Sequence, residues 1–488
     1  MASRIAKHWI NNQWIDNGVH RDSIDPATGD KIGEYADAGK DEAALAIAVA
    51  REAFMISDWK RNRQLRYRIL NQLADQFDAY HKSLTEMLML ENGKVRREAE
   101  FEMNLVAPKL RYYAALTLAD YGRALEVKEG SFSVTLKEAI GVAGIIAPWN
   151  SPVVLMVRSL APALAAGCTT VIKMPAQTAQ TNALMSEVFE SVKDVPPGVI
   201  NLFTESGNDG AALMIESPHV PVISYTGSSR TGQLLMRNAA PQLKRLNFEL
   251  GGKTPMIIFN DANLDVVIPT LEKAITVFSG QFCMTGSRIL VQNGIADKLK
   301  AKLSERLRNV KVGPAAKKDS DMGPLIDKAN VARVDKIVQD AIAQGAEVLV
   351  RGGAVNHAQY PNGAYYQPSL LAVADNSMKI VQEETFGPVA TVQVFETPGE
   401  AIHLANDTVY GLGASVWSRD VDLPLRVARE IQAGTVWINN WAQVFDEFEE
   451  GGYKFSGIGR LNGVDALHAF TEHKHIFHHA GTLQSANK

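Results

Sequence analysis

Scarcities in the 488-residue chain narrow the reading before any motif does. It holds only two cysteines, Cys168 and Cys283, which gives no disulfide framework and fits a reducing compartment. Lysine and arginine (50) nearly balance aspartate and glutamate (54), and no basic block stands out. Nucleic acid and anionic membrane surfaces are therefore not expected as partners. Long apolar runs are missing too. Val153 to Ala166 comes nearest, but Arg158 and Pro162 interrupt it, so no membrane span is expected. The opening MASRIAKHWINNQWID has no apolar core of a secretory signal, which makes a cytoplasmic location the expectation. Tandem repeats and low-complexity tracts are absent, as is a GxGxxG dinucleotide fingerprint near the first strands. Five C-terminal histidines (His468, His473, His475, His478, His479) match no zinc spacing, so no metal is expected.

What is present belongs to a globular α/β protein. Apolar residues make up 46% and charged residues 21%, and the length suggests two or three domains. Between residues 139 and 251, short β-branched runs alternate with helical patterns: GVAGIIAPW, TTVIKMP, VINLFT, VPVISYTGS and KRLNFELGG are separated by helices. That rhythm predicts a parallel sheet covered on both faces, with ligands at the carboxyl ends of its strands. Residues 40–120 read as mainly helical and packed on that sheet. A second alternating region begins at PMIIFND and passes through SRILVQ, AEVLVRGG, ATVQVFE and TVWINN. Two peripheral alternating stretches, VKEGSFSVTLKEA and HAFTEHKHIFHHA, belong to neither core and should pair with something, another subunit being one choice. The resulting division is 1–120 with 139–251, then 252–450, with 121–138 and 465–488 as an oligomerisation segment.

The chemistry-bearing stretches are individually weak. Cys283 lies in SGQFCMTGSR, among small and polar residues where an accessible thiol with nearby donors could act as a nucleophile; the plainer reading is a small hydrophobe. Cys168, within ALAAGCTTVI, fits that plainer reading. In FELGGKTP, Glu249 ends a strand and is a candidate general base, or else a solvated glutamate before a turn. GGKT lacks the glycine that a phosphate-binding GxxxxGK loop requires at position 247. Asn150 in APWNSP could donate to an oxyanion, or simply shape a turn. YTGSSRTG joins a strand to a helix, where backbone N–H groups could contact a pyrophosphate.

In their order along the chain, APWN, TVIKMP, TGSSRTG, ELGGK, GQFCxxxSR, EETFGPV and GGYKFSGIGR resemble the aldehyde dehydrogenase superfamily. The resemblance extends from IDPATG to GGYKFSG. It implies an α/β fold with a Rossmann-type cofactor domain, an α/β catalytic domain and a small β oligomerisation segment. It implies Cys283 as the nucleophile that forms a thiohemiacetal and, after hydride transfer to the nicotinamide, a thioester. Asn150 and the Cys283 backbone N–H would hold the oxyanion, and Glu249 would activate the hydrolytic water. By the same resemblance Lys173 contacts the adenosine ribose or its phosphate, Gly227 and Ser228 the pyrophosphate, and Glu384 and Phe386 the nicotinamide ribose and ring. Ile146 and Trp149 would border the cofactor cleft.

One departure bears on the cofactor. Many NAD-preferring members have glutamate three residues after the lysine, and here Ala176 stands there. NADP is therefore expected to be tolerated beside NAD, with Arg230 as a further source of positive charge. The resemblance lines the substrate pocket with Ser151, Val154, Leu155, Arg158, Val277, Phe282, Met284, Val444 and Glu450. Arg158 either binds a substrate carboxylate, pointing to a semialdehyde, or pairs internally with Glu450; an aromatic aldehyde is the other substrate reading. The partners implied are a small-molecule aldehyde and further copies of the chain, as a homodimer or homotetramer. A CoA-acylating enzyme is disfavoured because Glu249 is present. A non-redox cysteine hydrolase lacks the histidine that its cysteine would need. A purely structural protein would not require Asn150, Glu249, Cys283 and Glu384 together.

Overall fold

A computed structural model describes residues 5–119 and 121–483, so residues 1–4, 120 and 484–488 of the segments named above lie outside it. Five short strands form the parallel centre of the first sheet: Val142–Ile146, Thr169–Pro175, Ile200–Glu205, Val222–Thr226 and Arg245–Glu249. Numbered along the chain they lie in the order 5-4-1-2-3. The chain thus reverses its direction of build between Val142–Ile146 and Val222–Thr226, the crevice where open α/β sheets bind ligands. Almost every side chain in these strands is buried, which explains their continuous apolar runs.

Helices cover both faces of this sheet, as expected. Arg63–Ala79, Val106–Ala119, Pro152–Ala166 and Ala179–Ser191 pack on one side around Leu70, Leu110 and Leu160. Lys40–Ile56, Asp209–Glu216 and Ser229–Ala239 pack on the other, around Ile47, Phe203 and Met214. Helix Pro152–Ala166 begins with proline in its first turn and stops at Gly167, whose φ of 98° ends the helix in the left-handed region. Among the described residues no helix is long and apolar enough to cross a membrane.

The second sheet has seven strands in the order Glu347–Val350, Ser369–Ala372, Val389–Phe395, Arg288–Gln292, Pro255–Ile258, Gly413–Trp417 and Thr435–Ile438. All are parallel except Glu347–Val350, which runs antiparallel to its neighbour. Ser369–Ala372 and Gly413–Trp417 were not expected from the sequence. Gly413–Trp417 (GASVW) is short, built largely of small residues and buried throughout, so no alternation marks it.

Residues 40–119 are mainly helical as expected, while the chain before them adds strands that the sequence reading did not include. His8–Ile10 and Gln13–Ile15 extend the first sheet antiparallel beyond Ile200–Glu205, while Gly457–Ile458 closes its other edge against Arg245–Glu249. The peripheral stretch 127–139 is a hairpin, Arg123–Lys128 with Ser131–Ala139, rather than one strand. Its partner is the C-terminal Thr471–His479, so the two leftover stretches pair with each other. Arg123–Lys128 remains an exposed edge along its whole length.

Candidate active site

The expected catalytic groups gather where carboxyl ends of the first sheet meet amino ends of the second. Asn150 follows Val142–Ile146 and Glu249 ends Arg245–Glu249, while Cys283 precedes Arg288–Gln292 and Glu384 precedes Val389–Phe395. Bare backbone makes the close approach possible. A Cβ on Gly252 would stand 2.7 Å from the Cys283 carbonyl oxygen, and one on Gly251 would stand 2.4 Å from Glu384 Oε2. Glycine is the residue that leaves room for both neighbours.

Cys283 is half-buried. Burial, and after it the negative charge of Glu450, pushes its thiol up to about 12; Arg158 opposes the shift, and Glu384 and Glu249 add to it. The resting group is therefore a protonated thiol. Its own backbone N–H donates to no carbonyl among the described residues. Asn150 is buried, and its Nδ2 donates to the Gln281 carbonyl at 3.0 Å. That bond uses one amide hydrogen and sets the side chain next to the cysteine loop.

Glu249 is buried, and its Oε1 has no hydrogen-bond partner. Burial raises its carboxyl to about 8, partly offset by Arg158 and reinforced by Glu450. An unpartnered carboxylate oxygen in a closed site is costly to keep, and a carboxylate with a pKa near neutrality suits proton transfer. Its main chain is tied to the neighbouring turn, since Gly227 N donates to the Glu249 carbonyl at 3.0 Å.

The residues expected to hold a dinucleotide lie at the carboxyl ends of the first sheet and on the loop before Val389–Phe395. Trp149 and Phe386 meet edge to face, 5.5 Å between centroids. Phe386 has a left-handed φ of 49°, a strained state for a bulky residue, and Arg333 braces it by donating to the Thr385 carbonyl at 2.8 Å and the Phe386 carbonyl at 3.1 Å. Glu384 Oε1 accepts from Gly252 N at 3.3 Å, and burial raises its carboxyl to about 7. Ser228 is exposed and caps helix Ser229–Ala239 by accepting from Thr231 N at 3.2 Å, which leaves a helix N-terminus open beside the switch point. Lys173 and Ala176 are half-buried, and desolvation lowers the lysine while Glu205 and Asp37 raise it. Ile146 is buried at the end of its strand. An anion-accepting helix end, a carboxylate for hydroxyl groups and a pair of aromatic rings suit a nicotinamide dinucleotide.

The expected substrate pocket divides. Leu155, Phe282 and Val277 keep partial exposure. Ser151, Val154 and Met284 are buried; the Ser151 hydroxyl accepts from Lys94 at 3.0 Å, and Met284 belongs to the core of the second sheet. Val444 is exposed on the 442–450 loop. Arg158 and Glu450 are both buried and form an ion pair at 3.0 Å. Glu450 Oε2 also accepts from Asn462 at 3.2 Å, and Asn462 in turn accepts from buried Lys109 at 2.7 Å. Arg158 is thus already engaged.

Two neighbours of the site escaped the sequence. Trp441 donates from Nε1 to the Met284 carbonyl at 2.9 Å and packs edge to face on Phe282 at 6.0 Å. Lys253 is buried against Thr385, with Nζ–Oγ1 at 3.2 Å, and burial lowers it to about 7. Lys253 sits in the ELGGK motif and could have been found there. Nothing local marks Trp441.

Comparison with known proteins agrees with this arrangement. The model of the aldehyde dehydrogenase family matches residues 14–476. Betaine aldehyde dehydrogenase of Bacillus subtilis (strain 168) is 37% identical over 473 residues, covering 96% of each chain. Human 2-aminomuconic semialdehyde dehydrogenase is 34% identical over 485 residues, 97% of this chain and 98% of that one. The crystal structure of betaine aldehyde dehydrogenase from Staphylococcus aureus in complex with NAD+ superposes with a TM-score of 0.95 at 35% identity, covering 99% of this chain and 96% of that one.

Proposed function

The chain belongs to the aldehyde dehydrogenase family and is an oxidoreductase that oxidises aldehydes with a nicotinamide cofactor, and from that premise we propose that it releases a free carboxylic acid by hydrolysing an acyl group held on Cys283. The observation that carries this reading is buried Glu249, with an unpartnered oxygen and a raised pKa, whose charge reaches Cys283. Cys283 gives up its proton to solvent, and Sγ as the thiolate attacks the aldehyde carbon. Asn150 Nδ2 and the Cys283 N–H donate to the oxygen as it becomes an anion, where fixed donors act most strongly. When bound, the nicotinamide supplies the hydride acceptor. Glu249, as the anion, takes a proton from the water that attacks the acyl carbon, and Cys283 leaves as the thiolate.

Gly227, Ser228 and Lys173 would hold the phosphate and adenosine end of the cofactor, with Glu384, Phe386, Trp149 and Ile146 at the nicotinamide end. Ala176 places no carboxylate three residues after Lys173, so NADP is admitted beside NAD. The first sheet serves as the cofactor domain and the second as the catalytic domain. The sheet of Arg123–Lys128, Ser131–Ala139 and Thr471–His479 is the proposed oligomerisation element of a homodimer or homotetramer. Its edge strand Arg123–Lys128 is exposed, as are Leu125, Val127, Phe132, Ile476 and Phe477. A cytoplasmic location fits the two free cysteines.

For the substrate, the Arg158–Glu450 pair favours an uncharged aldehyde, aromatic by the company of Phe282 and Trp441. A carboxylated semialdehyde is the second reading, supported by the unpartnered Arg158 Nε. The test is cofactor reduction with aromatic, aliphatic, amino and carboxylated aldehydes, each with NAD and with NADP. An aromatic optimum with measurable NADP turnover is expected, and acyl-CoA formation in place of free acid would overturn the hydrolytic reading. Glu450→Gln separates the substrate readings further. It frees Arg158, so KM for a carboxylated aldehyde should fall about tenfold while KM for benzaldehyde stays. Stability should drop by about 3–5 kcal/mol, because the arginine loses its buried counter-charge.

A further inference from the structure

Asn150 and Cys283 hang on loops that belong to different sheets, and something must fix their separation. The cysteine loop cannot do so alone. Phe278, Ser279 and Gly280 have φ of 50°, 57° and 69°, three successive left-handed residues of which two carry side chains. Such a run persists only when its surroundings over-determine it.

Much of that determination comes from one short stretch, Asn92 to Glu102. Glu98 Oε1 accepts from Phe278 N at 3.0 Å, and the Lys94 ammonium lies 4.0 Å from the centroid of the Phe278 ring. The same stretch grips the asparagine loop. Asn92 Nδ2 donates to the Trp149 carbonyl at 2.7 Å, and Lys94 Nζ donates to Ser151 Oγ at 3.0 Å. Glu102 Oε1 accepts from Val153 N at 2.9 Å and Val154 N at 3.3 Å, capping the first turn of Pro152–Ala166. Lys94 and Glu102 form a buried ion pair that joins the two grips. Lys94, Glu98 and Glu102 are spaced four residues apart, and the two glutamates share a face of helix Arg96–Asn104.

Glu98 is the costly member. It is buried and its Oε2 has no partner, so an apolar side chain would suit the fold better if packing were its only task. Burial also pushes its carboxyl up to about 7, against the nearby charges of Lys94 and Arg97. What an apolar residue could not do is accept the Phe278 N–H.

We propose that Glu98 is a positioning residue, the keystone of a brace from Asn92 to Glu102 that registers the cysteine loop against the asparagine loop and so sets the two oxyanion donors. It touches no reacting atom; it acts through the left-handed turn, which delivers the Gln281 carbonyl to Asn150 and the backbone N–H of Cys283 to the substrate oxygen. The inference rests on the roles given above to Cys283 and Asn150.

The test compares Glu98→Gln, whose amide oxygen still accepts a hydrogen bond, with Glu98→Met, which has similar bulk and no acceptor. Glu98→Met should lose about 10²-fold in kcat, with KM for the cofactor within about twofold. It should also change the cofactor-free alkylation rate of Cys283 by iodoacetamide several-fold. Glu98→Gln should restore both to within about threefold of the natural protein. A folded Glu98→Met protein with native kcat and native alkylation would overturn the brace. Hydrogen exchange of the unsubstituted protein covers the case in which Glu98→Met does not fold: a peptide spanning 277–283 should be protected, and rapid exchange there would overturn the proposal. Loss of the underlying reading is distinct, because it would show as an active Cys283→Ala protein.

Discussion

Cys283→Ala is expected to lower aldehyde turnover by roughly 10⁴-fold or more, with any ester hydrolysis by the same thiol lost in parallel. The size follows from covalent catalysis. Without the sulfur there is no tetrahedral adduct, and the donors of Asn150 and Cys283 N–H have no anion to stabilise. The fold should be indifferent to the change, because Cys283 is a free, half-buried thiol in a loop. Cofactor affinity, followed by quenching of tryptophan fluorescence, should stay within about threefold. Retention of even one tenth of the activity would remove Cys283 from the mechanism.

The second large effect belongs to Glu249→Gln. It should spare the formation of one equivalent of reduced cofactor per site and slow the steady state by about 10²–10⁴-fold, because only the attack of water needs the base. Rapid mixing would show a burst followed by near arrest. A loss of the burst equal to the loss of turnover would instead give Glu249 a role in the first half of the reaction. The natural protein carries a matching pH signature. Burial raises Glu249 to about 8, and only the anion accepts a proton. Hydrolysis-limited turnover should therefore fall about tenfold per pH unit below that value and level off above it. A rate independent of pH between 6 and 9, under conditions where hydrolysis limits, would contradict the assignment.

Much of this was readable from the chain because it is local. The five central strands of the first sheet stand where their apolar runs predict, and Thr169–Pro175 coincides with TTVIKMP residue for residue. Their carboxyl ends and the loops that follow carry Asn150, Gly227 and Glu249 within recognisable motifs. Gly413–Trp417 escaped because its largely small, wholly buried residues give no period to read, and Ser369–Ala372 because four residues are too few to show one. Contacts between distant segments were harder still. The Arg158–Glu450 pair could be raised only as one of two alternatives, since nothing in either stretch fixes the distance between them. Glu98 left no trace at all. RREAEFEMN reads as a solvated, charged helix, and its meaning depends on a backbone N–H that lies 180 residues downstream.

The two thiols have a consequence for how the protein fails. Cys168 is sealed in the core, its sulfur donating to the Phe470 carbonyl at 3.4 Å and its acidity suppressed by burial. Cys283 is half-buried rather than sealed, and a sulfenic acid formed there meets no second cysteine with which to condense. Further oxidation to the irreversible sulfinic state then competes only with thiols from outside the chain. The same asymmetry makes intact protein countable: a thiol reagent should titrate one group per native chain and two after denaturation, so the native titre measures the surviving nucleophile.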